Sequence, residues 1–217
     1  ISRTGAIRLP IFLSLLTSCV VFYAAVGMRE IPKETILGSS GKGQTIGKKI
    51  LRPFKQVLAA ARWTIDQRFV LFVIIAALAI DSVARKFVVL ASEYYRVIDI
   101  PTGWFGIIGA FMSLLGIINA RISRYLVTHH SPIFNFLLLS GLLLVGLSGI
   151  MMTISIWGVL FAVFAFSMIG MVAYQSSYYI NREVDSTQRA TVLSFRGLAL
   201  NLGLGLASLL YTGLIAG

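Results

Sequence analysis

Six stretches of about twenty mostly apolar residues, each bounded by charge or proline, constrain this chain more than any other feature, because a hydrocarbon core about 30 Å thick takes about 20 helical residues to cross. They are Leu9 to Met28, Phe69 to Ala91, Gly103 to Ala120, Ile133 to Met152, about Ile154 to Tyr179 and about Ala190 to Gly217. The first is too long for the apolar region of a cleaved leader and reads as a span. Of the 217 residues, 57% are hydrophobic and 12% charged, roughly half the charged share of a soluble domain, so the expected fold is an all-α integral membrane protein of about six transmembrane helices.

A net charge of +11 would suit nucleic acid if it formed a basic face on a soluble fold, but here the cations lie between apolar runs, where they set orientation in a bilayer. The segment from Arg29 to Arg68 holds nine Lys or Arg against Glu30, Glu34 and Asp66, which places it in the cytoplasm. Alternation puts the connections Arg121 to Ser131 and Asn181 to Arg189 on the same side, and both carry arginines. Trp63, Tyr125, Tyr178 and Tyr179 then fall near inner ends, and Tyr94, Tyr95, Trp104 and Trp157 near outer ends, as interface anchors do. Three regions follow: a helix in 1–28, a basic linker in 29–68 and a five-span bundle in 69–217. Within the linker, 38–47 is Gly- and Ser-rich, while Phe54, Leu58, Ala61 and Ile65 at helical spacing suit an amphipathic helix on the membrane surface. The expected location is a plasma or bacterial inner membrane.

Enzymatic motifs are missing. The glycines at 38–47 fail the spacing of a phosphate-binding loop, since Gln44 follows Gly43 where Lys is needed. His129 and His130 have no Cys, Asp or Glu beside them to complete a metal site, and lone Cys19 has no disulfide partner. No GxSxG or HExxH occurs, so no enzyme, cofactor or metal is implied.

Ionisable residues inside the spans carry more information, because each costs about 2.5–3.5 kcal/mol near the bilayer centre on insertion scales. Asp81 and Arg85 are four apart and can pair on one helix face, with Glu93 two turns beyond. Such a face either lines a polar cavity, with Asp81 contacting a coupling ion or solute and Arg85 as counter-charge, or forms a structural ion pair with Lys86 snorkelling outward. Tyr174 and Gln175 on the fifth run, and Asn201 among Gly197, Gly203 and Gly205 on the sixth, are further candidates for solute contact.

The end of the third run resembles the signature of the major facilitator superfamily, G-x-x-x-D-R-x-G-R-R. Gly116, Arg121, Ser123 and Arg124 occupy positions one, six, eight and nine, while Ala120 and Tyr125 replace the acidic residue and the last Arg. The stretch 181–194 (NREVDSTQRATVLS) also looks like that family's connection between helices ten and eleven. The resemblance implies helices six to eleven, meaning the C-terminal half with the preceding helix and central linker. It implies Gly116, Arg121 and Arg124 as a cytoplasmic gate motif, with helices one to five and twelve supplied by the remainder of the transporter. Transporters of this kind bind solute near the midplane between two halves and rock about it. The expectation is secondary active transport of a small solute, with protons or another ion as coupling partner. The competing expectation is a non-transporting membrane scaffold or sensor.

Overall fold

The computed structural model describes residues 15–19, 21–23, 58 and 61–216. The chain forms two compact units, Ile1–Ile46 and Gly47–Gly217. In the first, 15–19 and 21–23 are helical, and most of the Leu9 to Met28 run lies outside the described residues. So do the Gly-rich stretch 38–47 and Phe54 of the expected amphipathic helix. The described remainder of that helix, 61–66, is helical; Leu58 and Ile65 are exposed, while Trp63 packs against the second unit's core and Thr64 is buried.

Five long helices make up the rest: α1 (Arg68–Val97), α2 (Gly103–His129), α3 (Pro132–Met152), α4 (Gly158–Glu183) and α5 (Ser186–Ala216). No strand occurs among the described residues. Among the described residues, four helices are long and apolar enough to cross a membrane: α2, α3, α4 and the part of α5 from Gln188 to Leu214. The second apolar run forms α1, which has 30 residues and length to spare, but Asp81, Arg85 and Lys86 at its middle make it more polar than the other four.

Two expected connections are mostly helix. Arg121 to His129 extends α2, leaving only His130 and Ser131 before α3, and Asn181 to Glu183 completes α4, leaving Val184 and Asp185 before α5. Apolar runs stop where the hydrocarbon would stop, whereas backbone hydrogen bonding continues until a cap or proline ends it. At the α2–α3 junction that signal is Ser131 and Pro132: the Ser131 hydroxyl accepts from the Phe134 N–H at 3.3 Å, and Pro132 occupies the first turn, where no N–H is needed.

The most polar of the five helices nonetheless has a well-buried face. Along α1, Val70, Val73, Ile74, Ala77, Ile80 and Ala84 recur at helical spacing on one buried face, against Leu139 and Leu143 of α3 and Met168 and Val172 of α4. Meanwhile α2 and α5, the apolar flanks, leave bulky side chains such as Phe111, Leu114, Ile117, Leu206 and Leu210 exposed. Contiguous apolar surface of this kind is untenable in water and ordinary against lipid. The charged helix is therefore interior and its neighbours form the apolar shell.

Two expected anchors are core residues instead. Tyr179 is buried, stacks edge-on with Phe69, and its hydroxyl accepts from the Asn135 amide at 2.6 Å; Tyr95 is buried against Phe105. Position near a helix end did not decide their fate, because each lies on the face turned to a neighbouring helix. Trp104, Trp157 and Tyr125 are exposed at helix ends, as anchors require.

Helices α1 and α5 run parallel, since their contacts ascend together: Leu78 and Ser82 meet Gly203, and Lys86 meets Ser208 and Tyr211. A Cβ on Gly203 would lie 2.8 Å from Leu78 Cγ and 2.9 Å from Ser82 Oγ, whereas one on Gly205 would meet nothing within 4 Å. Gly203→Ala is expected to cost about 1–3 kcal/mol through overpacking, and Gly205→Ala to be neutral or stabilising by up to ~1 kcal/mol through helix propensity. Thermal unfolding of the two variants in detergent, followed by circular dichroism, checks the difference.

Candidate functional site

Asp81 lies thirteen residues into α1, roughly 20 Å along its axis at 1.5 Å per residue, and its side chain is 1% exposed. A bare carboxylate there would cost several kcal/mol, so the adjacent turn supplies the compensation. Arg85 Nη2 approaches both carboxylate oxygens, at 2.8 Å from Oδ1 and 2.7 Å from Oδ2. Only the first has hydrogen-bond geometry; the second contact is electrostatic. The other terminal nitrogen, Nη1, donates to Asn201 Oδ1 of α5 at 3.3 Å, at an exposed position. Arg85 is thus forked, one arm toward the buried acid and one toward the exposed contact with α5.

The two members of the pair differ in exposure. Asp81 is the interior counter-charge, and Arg85, 31% exposed, is the group that reaches the surface with Asn201. Lys86 departs from expectation. Instead of snorkelling away, its ammonium lies 4.4 Å from the centre of the Tyr211 ring and 3.5 Å from Ser208 Oγ, both on α5. A cation over an aromatic face is attracted by the ring quadrupole, more so where water is scarce.

One participant escaped the sequence reading. Arg196 of α5 donates to Ser177 Oγ and, at 3.4 Å, to the Ala173 carbonyl, both on α4. Its Nε is buried without a partner. The signal was available: Arg196 is an ionisable residue inside the sixth apolar run, as anomalous there as Asp81 is in the second.

The other candidates divide. Asn201 joins the network. Gln175 is fully buried in α4 with neither amide atom hydrogen-bonded, so it is an interior residue. Tyr174 is partly exposed and apart from the network. Glu93 does not extend the Asp81–Arg85 pair: it binds Arg96 at 2.7 Å, with both side chains well exposed, because two turns along α1 the face has rotated clear of the core. Gly116, Arg121 and Arg124 are exposed on α2, and Ser123 between them is buried. The histidines are exposed and stacked, His129 on Tyr125 and His130 on Phe134. Among the described residues no three His, Cys, Asp or Glu converge as metal ligands.

A separate cleft of about 290 Å³ lies where α1 turns into α2, lined by Ile98, Asp99, Pro101, Trp104 and Val159 among others. Asp99 there has φ 57°, a left-handed conformation that Asp tolerates better than most residues. Its lining is mainly apolar, and it lies at a helix end away from the ionic network.

Asp81→Asn strands the Arg85 guanidinium in the interior, and Arg85→Gln strands the carboxylate. A double-mutant cycle over the two is expected to give a coupling of about 1–3 kcal/mol, with the double variant more stable than single-site additivity allows. Chemical or thermal unfolding of the four proteins measures it.

Comparison of the chain with protein-family models, curated proteins and solved structures finds no match, so no family is assigned and function is argued from the network and its setting.

Proposed function

We propose that this chain is part of a secondary active transporter that moves a small solute across a membrane by alternating access. The observation that carries the proposal is the ionic network of Asp81, Arg85 and Asn201, at mid-length of helices whose outer surfaces are apolar. Ionisable groups at such depth are expensive, and where they persist they commonly mark solute or ion paths. Partial exposure of Arg85 beside Asn201 supports a binding role for it, with Asp81 holding it in place.

The resemblance to the major facilitator superfamily at Gly116, Arg121 and Arg124 and at 181–194 supports the same reading. On that reading α1 to α5 correspond to helices seven to eleven, α1 crosses the membrane despite its charges, and the segment 29–68 is the cytoplasmic linker. The Arg85–Lys86 surface then faces the solute path, and the other half of the transporter forms the opposite wall.

One observation favours a second reading, a non-transporting scaffold or sensor. Asp81 is almost wholly enclosed and already paired, as a purely structural ion pair would be. The two readings differ in what Arg85 and Asp81 do for flux. Under the transporter reading, Arg85→Gln in the full-length protein lowers uptake into proteoliposomes about tenfold or more, an order of magnitude that corresponds to losing one charge-assisted hydrogen bond of ~1.5–3 kcal/mol. Asp81→Asn changes the pH dependence of uptake. Absence of uptake by the wild-type protein across a broad solute panel, with normal folding, would favour the scaffold; uptake with an unchanged pH profile in Asp81→Asn would remove Asp81 from coupling.

A further inference from the structure

Charge balance along the network points to the chemical class of the solute. Within the helices α1, α4 and α5, away from their ends, the described ionisable side chains are Asp81, Arg85, Lys86 and Arg196. Three cations face one carboxylate. Every other acidic residue described in these helices lies elsewhere: Glu93 is exposed and held by Arg96, and Glu183 is the last residue of α4.

The single carboxylate is committed to Arg85. Lys86 has only neutral partners, the Tyr211 ring and the Ser208 hydroxyl, and Arg196 has only Ser177 and the Ala173 carbonyl as hydrogen-bond acceptors. Hydroxyls and carbonyls satisfy donors without cancelling charge. Lys86 and Arg196, both partly buried, thus keep two positive charges with no carboxylate as hydrogen-bond partner, a costly state for the empty protein. Arg85 Nη1 and the Lys86 ammonium both reach toward α5, where Asn201, Ser208 and Tyr211 supply neutral polar groups able to orient a ligand.

We infer that the surface where Arg85 and Lys86 of α1 meet α5 binds a small organic anion, a carboxylate or phosphate ester, whose acidic group lies between the two cations. The inference deepens the transporter reading and rests on it for its physiological meaning, but binding is measurable without transport. The anion supplies the missing counter-charge. Arg85 offers a guanidinium for directional hydrogen bonds, and Lys86 a point charge on a flexible stem that can leave the Tyr211 face to meet the ligand. A structural role for Lys86 makes the opposite forecast, because removing a stabilising cation–π contact would weaken the fold.

The test is thermal unfolding of the whole protein in neutral detergent at constant ionic strength. The probes are inorganic phosphate, a panel of mono-, di- and tricarboxylates and sugar phosphates, and, as controls, tetramethylammonium chloride, neutral sugars and phosphatidylglycerol. At about tenfold above Kd, a fitting anion is expected to raise Tm by roughly 3–5 °C. Lys86→Met is expected to unfold at the wild-type temperature or higher when empty, and to lose most of the anion's effect; Lys86→Arg keeps it. The inference is overturned if Lys86→Met lowers Tm while no panel anion stabilises the wild type, if anions stabilise both proteins equally, or if only the cationic or neutral probes act. Stabilisation by phosphatidylglycerol alone would make the Arg85–Lys86 surface a lipid site and overturn it too. Anion binding without uptake would retain this site and defeat the transporter reading; uptake of a neutral or cationic solute with no anion effect would do the reverse.

Discussion

A charged side chain taken out of water must find a partner, so the Asp81–Arg85 pair constrains how the helices around it are arranged. The face of α1 that carries Asp81 turns inward, and bulky apolar side chains of the neighbouring helices face outward. The buried face of α1 and the exposed isoleucines, leucines and phenylalanines of α2 and α5 are two sides of that requirement. Close approach completes it: Gly203 lets α5 come near enough for Asn201 and Ser208 to meet Arg85 and Lys86.

Within this arrangement the ionic groups have distinct tasks. Asp81 is enclosed, so its charge fixes the conformation of Arg85. Arg85 divides its donors between the buried acid and the exposed Asn201. Lys86 and Arg196 extend positive charge along α1 and α5 without a second carboxylate to balance it. Truncating one partner of such a network leaves another stranded, which is why paired substitutions are more informative here than single ones.

Much of this was legible in the sequence. The i, i+4 spacing of Asp81 and Arg85 foretold their pairing because helix geometry brings those positions together whatever surrounds them. Asn201 was legible because a polar amide among glycines in an apolar run needs a partner. What stayed hidden was azimuth. Nothing local distinguishes a Tyr179 that enters the core from a Tyr125 that remains exposed, nor says that Lys86 turns to Tyr211. Those outcomes depend on which neighbour each face meets. Helix ends were hidden for another reason: hydropathy reports the extent of the apolar layer, and α2 continues well past it until Ser131 and Pro132 intervene. Arg196 was legible and overlooked, since the rule that marked Asp81 applies to it equally.

The claim that lipid outside compels the ion pair inside can be measured most directly by placing nitroxide labels on the apolar shell. Leu114 of α2 and Leu206 of α5 are exposed, near the middle of their helices, and are suited to single cysteine labels in a Cys19→Ser background. In lipid nanodiscs the account predicts that both labels collide far more with oxygen, which concentrates in the acyl region, than with a water-soluble nickel chelate. Dominant collisions with nickel at both sites would put these faces in water and remove the physical reason for enclosing Asp81 and Arg85 together.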